Sequence, residues 1–469
     1  MSKSRTIWTL AITGTATFMA GLDNLVVTTA LPSIKTDLGA GIEELEWTVN
    51  GYTLTYAVLL MLGAALGDRF GRRRIFTFGI VLFTAASAGA AIAPNTGALI
   101  AARAVQGIGA AALLPLSLTL LTAAVPPARR ALALGVWGGI NGLSIAVGPL
   151  VGGAIVEHGS WQWIFWLNVP IGIALLPLVR TKITESRGPN SRLDVTGTLL
   201  VSLGLLGIVY GLVSGEGDGW TSLPVAGSLL AGAAFTAAFV SWERRTAQPM
   251  LPLHFFKDRT VVAVNLSGLL MFAGVFGSIF LLTQFLQNVQ GYSPLEAGVR
   301  TLPWTAMPVV VAPLTGIFSA RIGSKPLVVA GLALLAAGLT WFALIVSPDV
   351  SYAAQVPALL LCGTGMALYF APTANLLMGA VQPGEQGVAS GANNAFRELG
   401  GVLGVAVLAS VFSSYGGFTT PQVFVDGLVP ALWVGAAATT LAAVFAVTLP
   451  RQRTKVVATA DEPKVPVAV

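Results

Sequence analysis

The sequence predicts an all-α integral membrane protein of fourteen spans, two six-helix bundles with a two-helix insert between them. Three observations carry this. The chain of 469 residues is 55% hydrophobic and 10% charged, with a mean hydropathy of +0.78. An ordinary soluble domain holds about 25% charged residues, so lipid is the expected solvent. The apolar residues gather in fourteen runs of about the 20 residues that a helix needs to cross the hydrocarbon core. The basic residues alternate with those runs. With the N-terminus inside, the outer connections hold only Lys35 and Arg300, the spans hold Arg103 and Arg397, and every other Lys and Arg is cytoplasmic. A miscount by one helix would invert each later connection and destroy this asymmetry. The same rule accounts for the net charge of +6 without a nucleic acid partner.

The first bundle, 1–180, holds spans near 8–30, 46–66, 75–93, 98–122, 132–155 and 161–180. Its opening run begins near Trp8 and exceeds the length of a signal-peptide core, so no cleavable signal is expected. The insert, 181–258, holds spans near 193–213 and 222–242 between two polar segments, "RTKITESRGPNSR" and "ERRTAQP". The second bundle, 259–450, holds spans near 259–287, 297–319, 325–347, 355–380, 391–414 and 428–449. Residues 451–469 are expected to form a short disordered cytoplasmic tail.

The bundles resemble each other weakly. "ALGDRFGRRR" follows the second span of the first, and "GIFSARIGSKP" the second span of the last. Aligning Gly71 with Gly323 pairs Arg69 with Arg321 and sets Asp68 against Ala320. Duplicated bundles are how many transporters are built.

Polar residues inside the spans mark the candidate sites. Asp23 lies within "TATFMAGLDNLVVTTALP", where a charge at the bilayer centre costs at least about 2.5–3.5 kcal/mol. Desolvation favours a neutral carboxyl and a nearby cation favours a charged one. Asp23 is therefore either a proton carrier or a fixed partner for an arginine. Arg103 falls at a similar depth, either biasing such an acid or serving as a hydrogen-bond hub. Arg397 and Glu398 are adjacent in the thirteenth run, about 100° apart on a helix, so they need not pair. Glu398 is a second proton site, an anchor for a cationic ligand, or a residue at a wet cytoplasmic mouth.

Asp68, Arg69, Gly71, Arg72 and Arg73 form a basic glycine turn. The turn is either a latch between helices, with Asp68 accepting from helix N-termini or arginines across the boundary between the halves, or a plain topology anchor against lipid phosphates. Gly148, Pro149, Gly152 and Gly153 kink a helix and let a neighbour approach closely. Tyr52, Tyr56, Trp137, Phe276, Trp304, Tyr369 and Arg397 are candidates to line a cavity for lipophilic ligands, with helix packing as the plainer reading.

"GDRFGRRR" resembles the signature loop of the major facilitator superfamily, with Ala64 where that motif often has Gly. "LIAARAVQGIGAAALLP" resembles its intramembrane-arginine motif. "SIAVGPLVGG" resembles its antiporter motif, with Ser144 where Gly is common, and "LDNLVVTTALP" the first-helix motif of its fourteen-helix drug/proton antiporters. The resemblance covers nearly the whole chain. It implies the major facilitator fold and alternating access around a midplane cavity. Small lipophilic drugs or antibiotics would leave as protons enter at Asp23 and Glu398, with Arg103 assisting. It also implies a latch at Asp68 to Arg73 and a leak-preventing seal at Gly148 to Gly153. The basic asymmetry puts both termini in the cytoplasm, the alanine- and arginine-rich, lysine-poor composition points to a bacterial plasma membrane, and a monomer is expected.

Other classes find little support. There is no GxxxxGK[ST] loop for ATP, no Cys/His metal spacing, and no catalytic Ser/His/Asp set. No cofactor is expected beyond a proton gradient. The one cysteine, Cys362, excludes an intrachain disulfide. His158 and His254 read as structural. An exporter of one specific metabolite on the same fold, or a non-transporting membrane sensor, are the remaining alternatives.

Overall fold

The computed structural model describes residues 3–126, 130–187, 194–247, 249, 251, 253–382 and 386–450. The expected tail, 451–469, lies outside them. The first half holds α1 (Lys3–Leu38), α2 (Ile42–Phe70), α3 (Arg72–Ala91), α4 (Thr96–Ala124), α5 (Arg130–His158), α6 (Trp163–Trp166) and α7 (Asn168–Lys182). Next come α8 (Val195–Asp218) and α9 (Leu223–Glu243). The last part holds α10 (Arg259–Gln284), α11 (Pro294–Thr305), α12 (Met307–Ile322), α13 (Ser324–Ile345), α14 (Tyr352–Ala380), α15 (Gln386–Tyr415) and α16 (Pro421–Val447).

The helix starts follow side-chain capping chemistry, in which a short polar residue satisfies an orphan N–H. Asn95 accepts from the Ala98 N–H at 2.8 Å, Asp194 from Gly197 at 2.7 Å and Asp258 from Thr260 at 2.6 Å. Ser293 and Glu296 form a reciprocal capping box.

Among the described residues, twelve helices are long and apolar enough to cross a membrane, against the fourteen spans expected from the sequence. The expected span 132–155 lies on α5, which has 29 residues, several of them with side chains outside the described set. The expected span 297–319 is interrupted. Pro303 lies inside α11 and Pro308 in the first turn of α12, and the helix breaks at Ala306 between them. Proline lacks the N–H that would continue the ladder and crowds the preceding turn.

Packing repeats along the chain. α1 packs on α5, α3 on α4 and on α7, and α2 on α4; in parallel, α10 packs on α15, α13 on α14 and on α16, and α12 on α14. The halves meet through α5 against α11 and α2 against α15. α8 and α9 pair with each other. α8 also lies over both α2 and α15, through a cluster of Leu54, Val58, Val209, Val213, Val402 and Ala406. Ser214 donates to Glu43 at 2.7 Å and pins α8 to α2.

The repeated glycine turn holds up in detail. Gly71 ends α2 and begins α3 at φ +114°, and Gly323 does the same between α12 and α13 at φ +84°. A side chain at either place would be strained. At Gly71 a Cβ would also come within 2.8 Å of the Glu185 carboxyl. Gly71→Ala is therefore expected to cost about 1–3 kcal/mol. Gly391→Ala is the control, because a Cβ there meets open space. Thermal unfolding of both variants in detergent should show a lowered midpoint for the first only.

Candidate functional site

Five helices of the first half converge on Asp23. Arg103 Nη1 on α4 donates to Asp23 Oδ2, with the two side chains 0% and 1% exposed. Gln106, one turn further along α4, donates to Asp23 Oδ1 at 3.0 Å, and Asn168 on α7 does so at 2.7 Å. Gln106 also donates to Ser87 on α3 at 2.7 Å and accepts from Arg103 at 2.9 Å. Arg103 Nε donates to the Thr48 carbonyl of α2 at 3.1 Å. The Tyr52 ring lies 4.3 Å from the guanidinium, and its hydroxyl donates to the Ala20 carbonyl. Arg103 Nη2 alone is buried without a partner. The pairing of Asp23 with Arg103 corresponds to the fixed-partner alternative in this state. Gln106, Asn168 and Ser87 are the members that the sequence reading missed.

The second polar cluster is on α15. Arg397 lies against the faces of Phe272 and Phe370, 4.5 and 4.6 Å from their centroids, and Phe276 stacks on Phe272 at 5.3 Å. The Tyr369 hydroxyl donates to the Val264 carbonyl at 3.2 Å and meets Ser267 at the same distance. Glu398 does not bridge to Arg397; its Oε2 is buried without a partner. Its helix, α15, packs on α2 of the other half.

The expected cavity residues are thus not one set. Phe276, Tyr369 and Arg397 come together in the second half. Tyr52 and Tyr56, 2% and 7% exposed, stack on each other in the core of the first half rather than lining open space. Trp137 sits apart, its indole donating to Ser117 at 3.2 Å, and Trp304 is 2% exposed within the large apolar core. Spacing placed these aromatics on helices but not on a particular face.

Among the described residues, the glycine turn forms no hydrogen bond or ion pair across the halves in this state. Asp68 accepts from Arg72 Nε at 2.6 Å. The N–H groups opening α3 are taken by Glu185: Arg73 N donates to it at 2.9 Å and Arg74 N at 3.3 Å. Arg72 N donates to the Ser186 carbonyl at 2.9 Å. An anion at a helix N-terminus satisfies orphan donors and the dipole together. Arg69 lies 5.2 Å from the Phe70 ring. The expected partners across the boundary are replaced by the segment after α7, and Glu185 was not foreseen.

The α5 glycines form a seam. A Cβ at Gly148 would meet Leu25 of α1 at 2.8 Å, and one at Gly152 the Val26 carbonyl at 2.9 Å. On the other face Gly153 abuts Pro294 and Leu295 of α11, and Gly298 of α11 abuts the carbonyl of Pro149. Glu157 completes the seam, accepting from Ser293 Oγ at 2.6 Å and from Leu295 N at 3.0 Å. Gln287 donates to the Thr29 carbonyl at 2.9 Å, and Lys35 lies 3.3 Å from the Phe418 ring. These contacts close the halves on each other at the end opposite the Asp68 turn.

Residues 13–405 match the family described as Major Facilitator Superfamily. The chain is similar to the multidrug resistance protein Stp of Mycobacterium tuberculosis, 39% identical over 409 residues, or 87% of this chain and 76% of that protein. It is 34% identical to the tetracenomycin C resistance and export protein of Streptomyces glaucescens, over 90% of this chain and 79% of that one. A solved auto-inhibited POT family peptide transporter has the same fold, with a TM-score of 0.70 at 14% identity, covering 96% of this chain and 97% of that chain.

Removing one member of a buried pair leaves an uncompensated charge, at a cost of about 3–5 kcal/mol. Asp23→Ala should lower the thermal midpoint in detergent sharply. Asp23→Asn keeps an acceptor for Arg103 and should lower it less. Midpoints at the wild-type value in both variants would remove the pair from any structural role.

Proposed function

The chain belongs to the major facilitator superfamily, and on that premise we propose that it is a proton-coupled exporter of lipophilic drugs or antibiotics working by alternating access. It is a multi-pass transporter and not an enzyme. The resistance and export names of its relatives support efflux. The observation that carries proton coupling is the Asp23 network: an ionisable carboxyl tied to a permanent cation inside the membrane, on helices that belong to one moving half.

In this reading the twelve apolar helices are joined by α5 and by the broken α11–α12 pair, giving the fourteen crossings of the drug/proton antiporter branch. Both ends of the chain are cytoplasmic, the membrane is a bacterial inner membrane, and the working unit is one chain. The closed seam at α5 and α11 then faces outside. Substrate enters between the halves. A proton arriving from outside, once the seam has parted, neutralises Asp23 and leaves Arg103 held by Gln106 and the Thr48 carbonyl. Losing the proton inside restores the pair. In the alternate state, Asp68 exchanges Arg72 for partners in the second half. A membrane potential of 100 mV supplies about 2.3 kcal/mol per charge moved. At about 1.36 kcal/mol per decade this sustains roughly a 50-fold gradient of a neutral solute per proton.

The test uses inside-out vesicles with an imposed pH gradient and a panel of lipophilic cations, acids and antibiotics. The expected result is substrate-triggered proton release in the wild type and none with Asp23→Asn. A mutant that responds like the wild type removes the proton role from Asp23. Silence of every compound favours a carrier of one specific metabolite.

A further inference from the structure

The two arginines buried among the helices are held in opposite ways. Arg103 is closed by a carboxylate. Arg397 forms no ion pair with a described carboxylate. Its hydrogen bond is a long one, to Asn394 Oδ1 at 3.4 Å, and its Nε is buried without a partner. Aromatic faces hold its charge instead, those of Phe272 and Phe370. Those two rings meet edge to face at 6.1 Å, and Phe276 continues the wall by stacking. Arg397, Phe276 and Phe370 are only partly buried, so the wall keeps an accessible face. α15, which carries Arg397, also packs on α2, so the wall sits on a helix that joins the halves.

The sign of this site is set by its permanent member. A guanidinium does not lose its proton in proteins, whereas a carboxyl does change state. Whatever Glu398 does, Arg397 keeps its positive charge, and its Nε remains unfilled. A planar fork of N–H groups beside flat rings matches an anionic oxygen carried on a flat ring system.

We propose that the exported molecule is a planar aromatic compound with an ionised acidic oxygen, a carboxylate or an acidic phenol, which Arg397 binds while Phe272, Phe276 and Phe370 pack against the ring plane. The inference rests on the exporter reading and narrows it, from lipophilic drugs in general to acidic ones. Glu398 accepts a hydroxyl of the same ligand through its free Oε2. A lipophilic cation finds no such fit, because Arg397 repels it.

The test is equilibrium binding to the purified full chain in detergent, read by tryptophan fluorescence. The probes are anthraquinone-2-carboxylate, its neutral methyl ester and the cation ethidium. The wild type should bind the carboxylate at least about tenfold tighter than the ester or ethidium, a preference of the size that one charge-assisted pair supplies. Arg397→Gln should abolish that preference with ester binding unchanged, and Arg397→Lys should restore part of it. Partial rescue by Lys separates a charge-recognition role from a packing role. Tighter binding of ethidium than of the carboxylate, no binding of the carboxylate, or an equal loss of all three ligands in Arg397→Gln would each overturn the inference. The vesicle assay keeps the two readings apart. Proton release triggered by ethidium with no carboxylate binding sinks the acidic-substrate inference alone. Vesicles in which no compound releases protons, with carboxylate binding that depends on Arg397, sink proton coupling and leave the acidic ligand standing.

Discussion

The Asp23–Arg103 ion pair decides how the first bundle is built. In lipid neither charge has water to fall back on, so each must be satisfied by other helices. Asp23 draws on α4 and α7, and Arg103 on α1, α2 and α4, with Gln106 extending the network to α3. Apolar side chains have no preference between a neighbouring helix and a lipid tail. A polar network has one, because its alternatives in hydrocarbon are poor. The network therefore supplies register that the apolar surfaces of these helices do not. Its one orphan, Arg103 Nη2, is where the arrangement has spare capacity.

Much of the fold was legible because membrane helices announce themselves by length and hydropathy, and their orientation by basic residues. Asp23 and Arg103 were legible because a charge in an apolar run stands out against its surroundings. Their partners were not. Asn168 is separated from Asp23 by 145 residues, and a lone amide in a helix shows no periodicity that would point to it. Glu185 was hidden for a similar reason: it lies in a polar connection, where acids are unremarkable. Tyr52 and Tyr56 were expected at the cavity, but an aromatic residue in an apolar run does not reveal which face of its helix it occupies, and both lie in the core. The break at Ala306 was within reach. Pro303 and Pro308 flank it, and the apolar run through both concealed two short helices.

The halves share a packing plan but not a charge plan. Gly71 and Gly323 keep the same turn with positive φ, while the acid of the first turn has no counterpart in the second, where Ala320 stands. Inside the membrane the first half closes its arginine with a carboxylate, and the second leaves its arginine against aromatic rings. Duplication accounts for the common scaffold. The divergence lies in the polar side chains, which is where two copies of one bundle can take on different work.

The seam between α5 and α11 shows how a closed end can remain able to open. It is built mainly from glycines set against backbone, Gly153 on Pro294 and Gly298 on the Pro149 carbonyl. Such contacts bring helices close through dispersion, and that attraction falls away within a small separation. A seam of buried ion pairs would resist parting, because each broken pair would strand a charge in a poorly hydrated gap. The one carboxylate that bridges the seam, Glu157, is at its solvent-exposed rim. There water can replace Ser293 and the Leu295 N–H when the halves separate. Small residues in the interior and a charge at the edge make the joint tight when closed and inexpensive to part.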